Sequence, residues 1–203
     1  MRLRVKICGV TRPEDALAAI ELGADAIGLI FAASKRQVTP AQAAAVVAAL
    51  PPWFPAVGVF SDASPLEIAA VLAECPLTHL QFHGREDLAG LASLRRPFVK
   101  ALPLVTDQDL EAARALVAAR PDLRLLADAA HGGSGQRCDW ARAAQLARVT
   151  PLILAGGLTP ENVADAVRAV RPAAVDVSSG VEAAPGLKDR HRLEAFIAAA
   201  RAA

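Results

Sequence analysis

Eight short apolar runs recur along this chain of 203 residues, and most end in a polar, ionisable or glycine residue. They are Arg4-Val5-Lys6-Ile7-Cys8, Ala26 to Phe31, Ala56-Val57-Gly58-Val59-Phe60, His79-Leu80-Gln81-Phe82-His83, Pro97-Phe98-Val99-Lys100, Leu123 to Asp128, Leu152 to Gly157 and Val175 to Gly180. A helical stretch follows each one. Eight strand-then-helix units predict an α/β fold, a single (β/α)8 (TIM) barrel spanning residues 1–203, with its chemistry at the carboxyl ends of the strands.

Composition fits that reading. The hydrophobic fraction is 54% with only 4% aromatic residues, so the core must be built from Ala, Leu, Val and Ile. A chain of this length buries most of its apolar surface without disulfide or metal staples. Lys and Arg number 22 against 21 acidic residues, and no basic run stands out, so neither nucleic acid nor an anionic membrane is an expected partner. The apolar tract around residues 43–50 falls short of the ~18 residues needed to cross a bilayer. No targeting segment is expected at the start either, because the first apolar run is too short for a signal-peptide core. Cys8, Cys75 and Cys138 are an odd number without C-x-x-C spacing, which argues against a disulfide framework or zinc knuckle. A cytoplasmic enzyme is the expected class.

Helix starts are marked locally. Thr11-Arg12-Pro13-Glu14, Thr39-Pro40-Ala41-Gln42 and Ser64-Pro65-Leu66-Glu67 each fit a capping box with Pro near the first helical position, and Thr159-Pro160-Glu161 opens another helix without the box. Helices are predicted over 13–22, 40–50, 65–74, 86–94, 107–119, 139–147, 160–170 and 188–201.

Strand parity then separates the faces. Val5 and Ile7 share one face of the first strand, Lys6 and Cys8 the other. The outer face packs on helices, so Lys6 and Cys8 point inward, as do Gln81, His83, Asp128, Asp176 and Ser178. Unpaired polar groups inside an apolar barrel cost several kcal/mol each, which suggests a function. Gly156-Gly157 after the seventh strand and Ser178-Ser179-Gly180 after the eighth stand where barrels commonly bind phosphate. Gly132-Gly133-Ser134-Gly135 lacks the G-x-G-x-x-G spacing of a dinucleotide site.

Cys8 ends strand one with Lys6 beneath it, and a nearby ammonium would favour the thiolate needed for basic or nucleophilic work. Asp128 ends an apolar run, where desolvation would raise its pKa and make it a proton donor. An N-cap role, or pairing with Lys100 or Lys6, is an equal reading. Arg36 could clamp a carboxylate or be a solvated loop charge. His83 could orient substrate or be a satisfied barrel histidine. Cys75 and Cys138 read as packing. No His, Asp or Glu cluster has metal-ligand spacing.

At these residues the chain resembles the phosphoribosylanthranilate isomerase family nearly end to end. The resemblance runs through Lys6-Ile7-Cys8-Gly9-Val10-Thr11, Gly23 to Gly28, Ser34-Lys35-Arg36, Val57 to Phe60 and Gln81-Phe82-His83-Gly84. It continues through Gly132 to Gly135, Leu154 to Leu158 and Val175 to Glu182. It implies an Amadori rearrangement of N-(5-phosphoribosyl)anthranilate, with Asp128 as general acid, Cys8 as general base and Arg36 on the anthranilate carboxylate. By the same resemblance Gly156, Gly157, Ser178, Ser179 and Gly180 would hold the phosphate, and Lys6, Gln81, His83 and Asp176 would help position substrate. The substrate's own iminium serves as electron sink, so neither metal nor cofactor is expected. A homodimer is a candidate assembly. The chain departs from the family at Cys138, where Phe is usual. Related phosphate-binding barrels, such as a ribulose-phosphate epimerase or indoleglycerol-phosphate synthase, and a catalytically silent barrel are the alternatives.

Overall fold

The computed structural model describes residues 2–87, 90–129 and 138–203. Eight parallel strands close into a barrel in sequence order: β1 (Arg4–Ile7), β2 (Ala26–Ile30), β3 (Ala56–Phe60), β4 (His79–Phe82), β5 (Phe98–Pro103), β6 (Arg124–Asp128), β7 (Leu152–Leu154) and β8 (Ala174–Val177). The ring is completed by β1 against β8, where Lys6 lies opposite Asp176. Helices α1 (Pro13–Glu21), α2 (Pro40–Ala48), α3 (Pro65–Glu74), α4 (Asp107–Ala119), α5 (Trp140–Ala147), α6 (Val163–Val170) and α7 (Arg190–Ala202) wrap the outside. Among the described residues no helix is long and apolar enough to cross a membrane.

Strand parity sorts the core into two layers. Val5, Ile7, Ile27, Leu29, Leu80 and Phe82 are buried between sheet and helices, where α7 contributes Leu193, Phe196, Ile197 and Ala200. A much smaller apolar cluster fills the barrel itself: Ala101, Leu126 and Ala155, flanked by Val99 and Ile153. Its size leaves the rest of the interior to polar side chains.

The capping boxes at Thr39 and Ser64 form as their sequences predict, and Thr106 with Asp109 makes a third at α4. Other local expectations yield to tertiary contacts. The Thr11 hydroxyl donates to the Gly186 carbonyl at 2.6 Å, leaving Arg12 as an N-cap without a side-chain cap bond. The helix expected at 160 begins at Val163, because the Asn162 side chain accepts from the Thr159 N–H and donates to the Gly157 carbonyl. Between β4 and β5 a short 3-10 turn, Gly90–Leu94, replaces the α-helix expected over 86–94. Residues 88 and 89 of that span, and the Gly132 to Gly135 segment, lie outside the described residues. After β8 the chain makes a 3-10 turn (Ser179–Val181) and then a small antiparallel hairpin that the sequence did not signal, β9 (Glu182–Ala184) with β10 (Leu187–Lys188).

Asp25 ties the amino-terminal end of the barrel together. Its carboxylate accepts the Val5 N–H at 2.8 Å, Arg2 at 2.6 Å and Arg201 of α7 at 2.6 Å. Burial works against the charged form, but these donors outweigh it and hold the carboxyl below its ordinary value. A depressed folded-state pKa contributes stability above the unfolded pKa and loses it as pH falls through the folded one. Asp25→Asn is therefore expected to cost about 2 kcal/mol at pH 7, several degrees in Tm, with the gap to the parent chain shrinking below about pH 4. Thermal melts across pH 3–7 measure it.

Candidate active site

A cavity of about 390 Å³ opens at the carboxyl ends of the strands. Cys8, Arg36, Gln81, His83, Asp128, Gly156, Gly157, Asp176, Ser178 and Ser179 all line it. Residues from both ends of the chain thus meet in one basin, which is what closing the barrel achieves. Among the described residues no group of three or more His, Cys, Asp or Glu side chains could hold a metal ion.

Cys8 follows β1 with its N–H bonded to the Val177 carbonyl at 2.8 Å. Below it, Lys6 Nζ donates to both carboxylate oxygens of Asp176 at 2.9 Å. Gly28 on β2 makes room for the two side chains: a Cβ there would stand 2.8 Å from Cys8 Sγ and 2.9 Å from Lys6 Nζ. The expectation that Lys6 would activate the thiol needs correction. Burial dominates and pushes the Cys8 pKa up; Lys6 pulls it down, but Asp176 pushes it up again. Lys6 is also not a cavity wall. It lies underneath, and although burial opposes its charge, Asp176 and Cys8 hold its pKa above the ordinary value.

Asp128 at the end of β6 is buried, and its pKa is pushed up to about 6, chiefly by desolvation with Asp176 adding to it. One hydrogen bond, from the Ala129 N–H at 2.8 Å, opposes the shift. The ion-pair reading fails for both proposed partners. Lys6 is engaged by Asp176, and Lys100 by Glu86 at 2.9 Å. Gly156, at φ +84°, brings the strand-seven loop against the acid, since a Cβ on it would lie 3.0 Å from Asp128 Oδ1. Gln81 and His83 share a hydrogen bond of 2.7 Å, the Gln81 amide nitrogen donating to His83 Nε2. Desolvation and then Lys6 lower His83 to about 4, so it stays neutral at pH 7. Cys138 and Cys75 are buried with thiols pushed up to about 12 and 11, consistent with packing roles.

Beside the acid, the glycine loop and the strand-eight turn form one rim. The backbone N–H groups of Gly157, Ser179 and Gly180 meet no acceptor among the described residues. The Ser178 hydroxyl is buried and unpartnered as well. Gly180 stands just behind the cavity wall. A Cβ there would fall 2.0 Å from the Leu158 carbonyl oxygen, so only glycine lets the two loops abut.

Arg36 is neither a solvated charge nor a free clamp. Its Nε and Nη2 donate to the two Glu182 oxygens at 2.8 and 2.7 Å. Lys188 Nζ reaches the same carboxylate at 2.9 Å. Sequence reasoning passed over Glu182 and Lys188 as chemistry. The only available signal was Glu182's place at the end of the Val175 to Glu182 motif; Lys188 carries none. Asn162, which braces the glycine loop, was missed for the same reason.

A closed parallel barrel with a carboxyl of raised pKa and a buried thiol facing one basin at the strand ends defines the class as a (β/α)8-barrel enzyme. Residues 5–199 match the family model of N-(5'-phosphoribosyl)anthranilate isomerase. A Pseudomonas fluorescens isomerase of that name is 49% identical over 202 residues, 98% of either chain. A phosphoribosyl anthranilate isomerase solved with reduced 1-(o-carboxyphenylamino)-1-deoxyribulose 5-phosphate superposes with TM-score 0.87 at 40% identity, covering 99% of this chain and 100% of that one. A structure of monomers of the dimeric Thermotoga maritima enzyme gives 0.88 at 38%, with coverage of 99% and 100%. The chain belongs to the N-(5'-phosphoribosyl)anthranilate isomerase family, the isomerases of tryptophan biosynthesis.

The raised Asp128 pKa has a stability consequence. A carboxyl whose folded-state pKa exceeds its unfolded value stabilises the fold below the unfolded pKa, and that contribution is lost as pH rises through about 6. Above pH 6 the buried carboxylate therefore costs the fold about 3 kcal/mol. Asp128→Asn is expected to melt several degrees above the parent chain at pH 7.5, with the difference closing toward pH 4. Calorimetry at both pH values tests it.

Proposed function

We propose that this chain converts N-(5-phosphoribosyl)anthranilate to 1-(2-carboxyphenylamino)-1-deoxyribulose 5-phosphate, with Asp128 as general acid and Cys8 as general base. The observation that carries this reading is a carboxyl at about 6 facing the same cavity as a buried thiol. Asp128 gives its proton to the ribose ring oxygen as the C1–O bond breaks, leaving an iminium between C1 and the anthranilate nitrogen. Cys8 thiolate takes the C2 proton, and the electron pair of that C–H bond neutralises the iminium to form an enolamine. Reprotonation at C1 and loss of the C2 hydroxyl proton give the ketone. The cation forms within the substrate, so the reading calls on no metal or cofactor.

The free amides of Gly157, Ser179 and Gly180, on the rim shaped by Gly156, are the proposed phosphate cradle, with the unpartnered Ser178 hydroxyl beside them. Arg36 is the proposed anchor for the anthranilate carboxylate. Asp176 and the Gln81–His83 pair are assigned to the sugar, while Lys6 acts through Asp176. The substrate is the partner proposed. A cytoplasmic location suits a biosynthetic enzyme with no membrane-crossing helix among its described residues. A homodimer is supported by the dimeric Thermotoga relative and by Trp53, 98% exposed; sedimentation equilibrium decides it.

At neutral pH the free protein holds the shared proton on the wrong group for this reaction, since the carboxyl ionises near 6 while the thiol is pushed above its ordinary value. Enzyme with protonated Asp128 and ionised Cys8 is then a small minority of the total at neutral pH. That fraction is constant between the two pKa values. The profile of kcat/KM should rise to about pH 6, stay flat, and fall only above the raised thiol pKa. Following the decay of anthranilate fluorescence, Cys8→Ser and Asp128→Asn should each lose ~10²–10⁴-fold in kcat. Turnover surviving both changes would keep the reaction and discard these roles.

A further inference from the structure

Arg36 and Glu182 are 146 positions apart, and the barrel sets its second and eighth strands on either side of β1. To reach Glu182 the arginine must pass over the end of β1. Gly9 is the residue it crosses. A Cβ on Gly9 would lie 2.6 Å from Arg36 Cδ, and its φ of +70° suits glycine. On the far side the unexpected hairpin presents Glu182 and Lys188 together. Glu182 uses both oxygens on Arg36 and also accepts from Lys188 Nζ at 2.9 Å and the Gly186 N–H at 3.2 Å. The Lys188 side chain is fully enclosed and also donates to the Ser178 carbonyl at 3.2 Å.

We propose that this hairpin is a selectivity device: Glu182, balanced by Lys188, clamps one edge of Arg36 and so presents its other edge to an aryl carboxylate in the cavity. The proposal rests on reading Arg36 as the carboxylate anchor. Its geometry follows from the guanidinium itself. A guanidinium carries five N–H donors in a rigid fork. The Nε–Nη2 edge is spent on Glu182. The Nη1–Nη2 end remains, and it too matches a carboxylate in two-point fashion. Arg36 lines the cavity, and the proposal assigns this remaining end to the ligand.

Charge gives the second argument. Arg36, Glu182 and Lys188 are two cations sharing one carboxylate, with side-chain exposures of 10%, 5% and 0%. A brace needs only one cation for one anion. The second leaves a nearly enclosed net positive charge that an entering anion completes. Holding the guanidinium in place beforehand also removes rotamer freedom that binding would otherwise have to freeze. Glu182 and Lys188 are thus positioning residues, and what they govern is preference for a carboxylated ring.

The test compares two ligands by titration calorimetry: reduced 1-(2-carboxyphenylamino)-1-deoxyribulose 5-phosphate and its phenylamino counterpart lacking the carboxylate. The variant is Glu182→Gln with Lys188→Met, which keeps the net charge of the cluster while removing the clamp. The preference for the carboxylated ligand should fall ~10-fold or more, with affinity for the other ligand little changed. An undiminished preference overturns the proposal, and equal weakening of both ligands makes the cluster a structural brace and overturns it too. Should the double variant fail to fold, Glu182→Asp keeps the charge, withdraws the clamp by one methylene and is read by the same ratio. Arg36→Met is the control: if it leaves the preference intact, the carboxylate reading of Arg36 fails instead.

Discussion

The Lys6–Asp176 pair sits where the barrel closes, one partner on the first strand and the other on the last, directly opposite in register. Neither charge is tolerable alone in that interior, because an isolated buried ion costs several kcal/mol even after relaxation. Each is tolerable only when β1 and β8 are side by side with both oxygens engaged. The pair makes an ionic floor at the base of the cavity, and Cys8 and Asp128 stand above it. Burial pushes the Cys8 thiol up, and Asp176 adds to that push against the opposing pull of Lys6. The same carboxylate raises Asp128. Asp176 thereby pushes Asp128 toward the protonated form that a general acid needs, and at the same time pushes Cys8 toward the neutral thiol.

A second ionic cluster, Arg36–Glu182–Lys188, sits beside the same seam above β1. The first closes the sheet; the second joins the loops that follow strands two and eight. Glycines mark the crossings: Gly28 lets Lys6 and Cys8 lie together, Gly9 lets Arg36 pass, and Gly180 lets the loops after strands seven and eight abut. Each is a place where a Cβ would strike a functional group or a neighbouring loop.

Much of this was legible from sequence. Period-two alternation in Val5-Lys6-Ile7-Cys8 puts Cys8 inward, and Leu125-Leu126-Ala127-Asp128 delivers an ionisable group to a strand end, whatever the rest of the chain does. Helix starts were legible where the cap is local, as at Ser64, and illegible where a distant group competes, as at Thr11 with Gly186. The 3-10 turn at Gly90–Leu94 was illegible too, since apolar spacing over so few residues does not separate it from an α-helix.

The sequence by itself determined the eight-fold alternation, the inward faces and the inventory of chemical groups at the strand ends, because these depend on periodicity and on residues within a few positions of one another. Only the tertiary structure decided which group meets which. Lys6 faces Asp176 from 170 positions away, Arg36 meets Glu182, and Cys8 is left protonated rather than activated. Coulomb attraction and desolvation depend on distance in space and on exclusion of water. For side chains drawn from opposite ends of a chain, both are set by closure of the barrel.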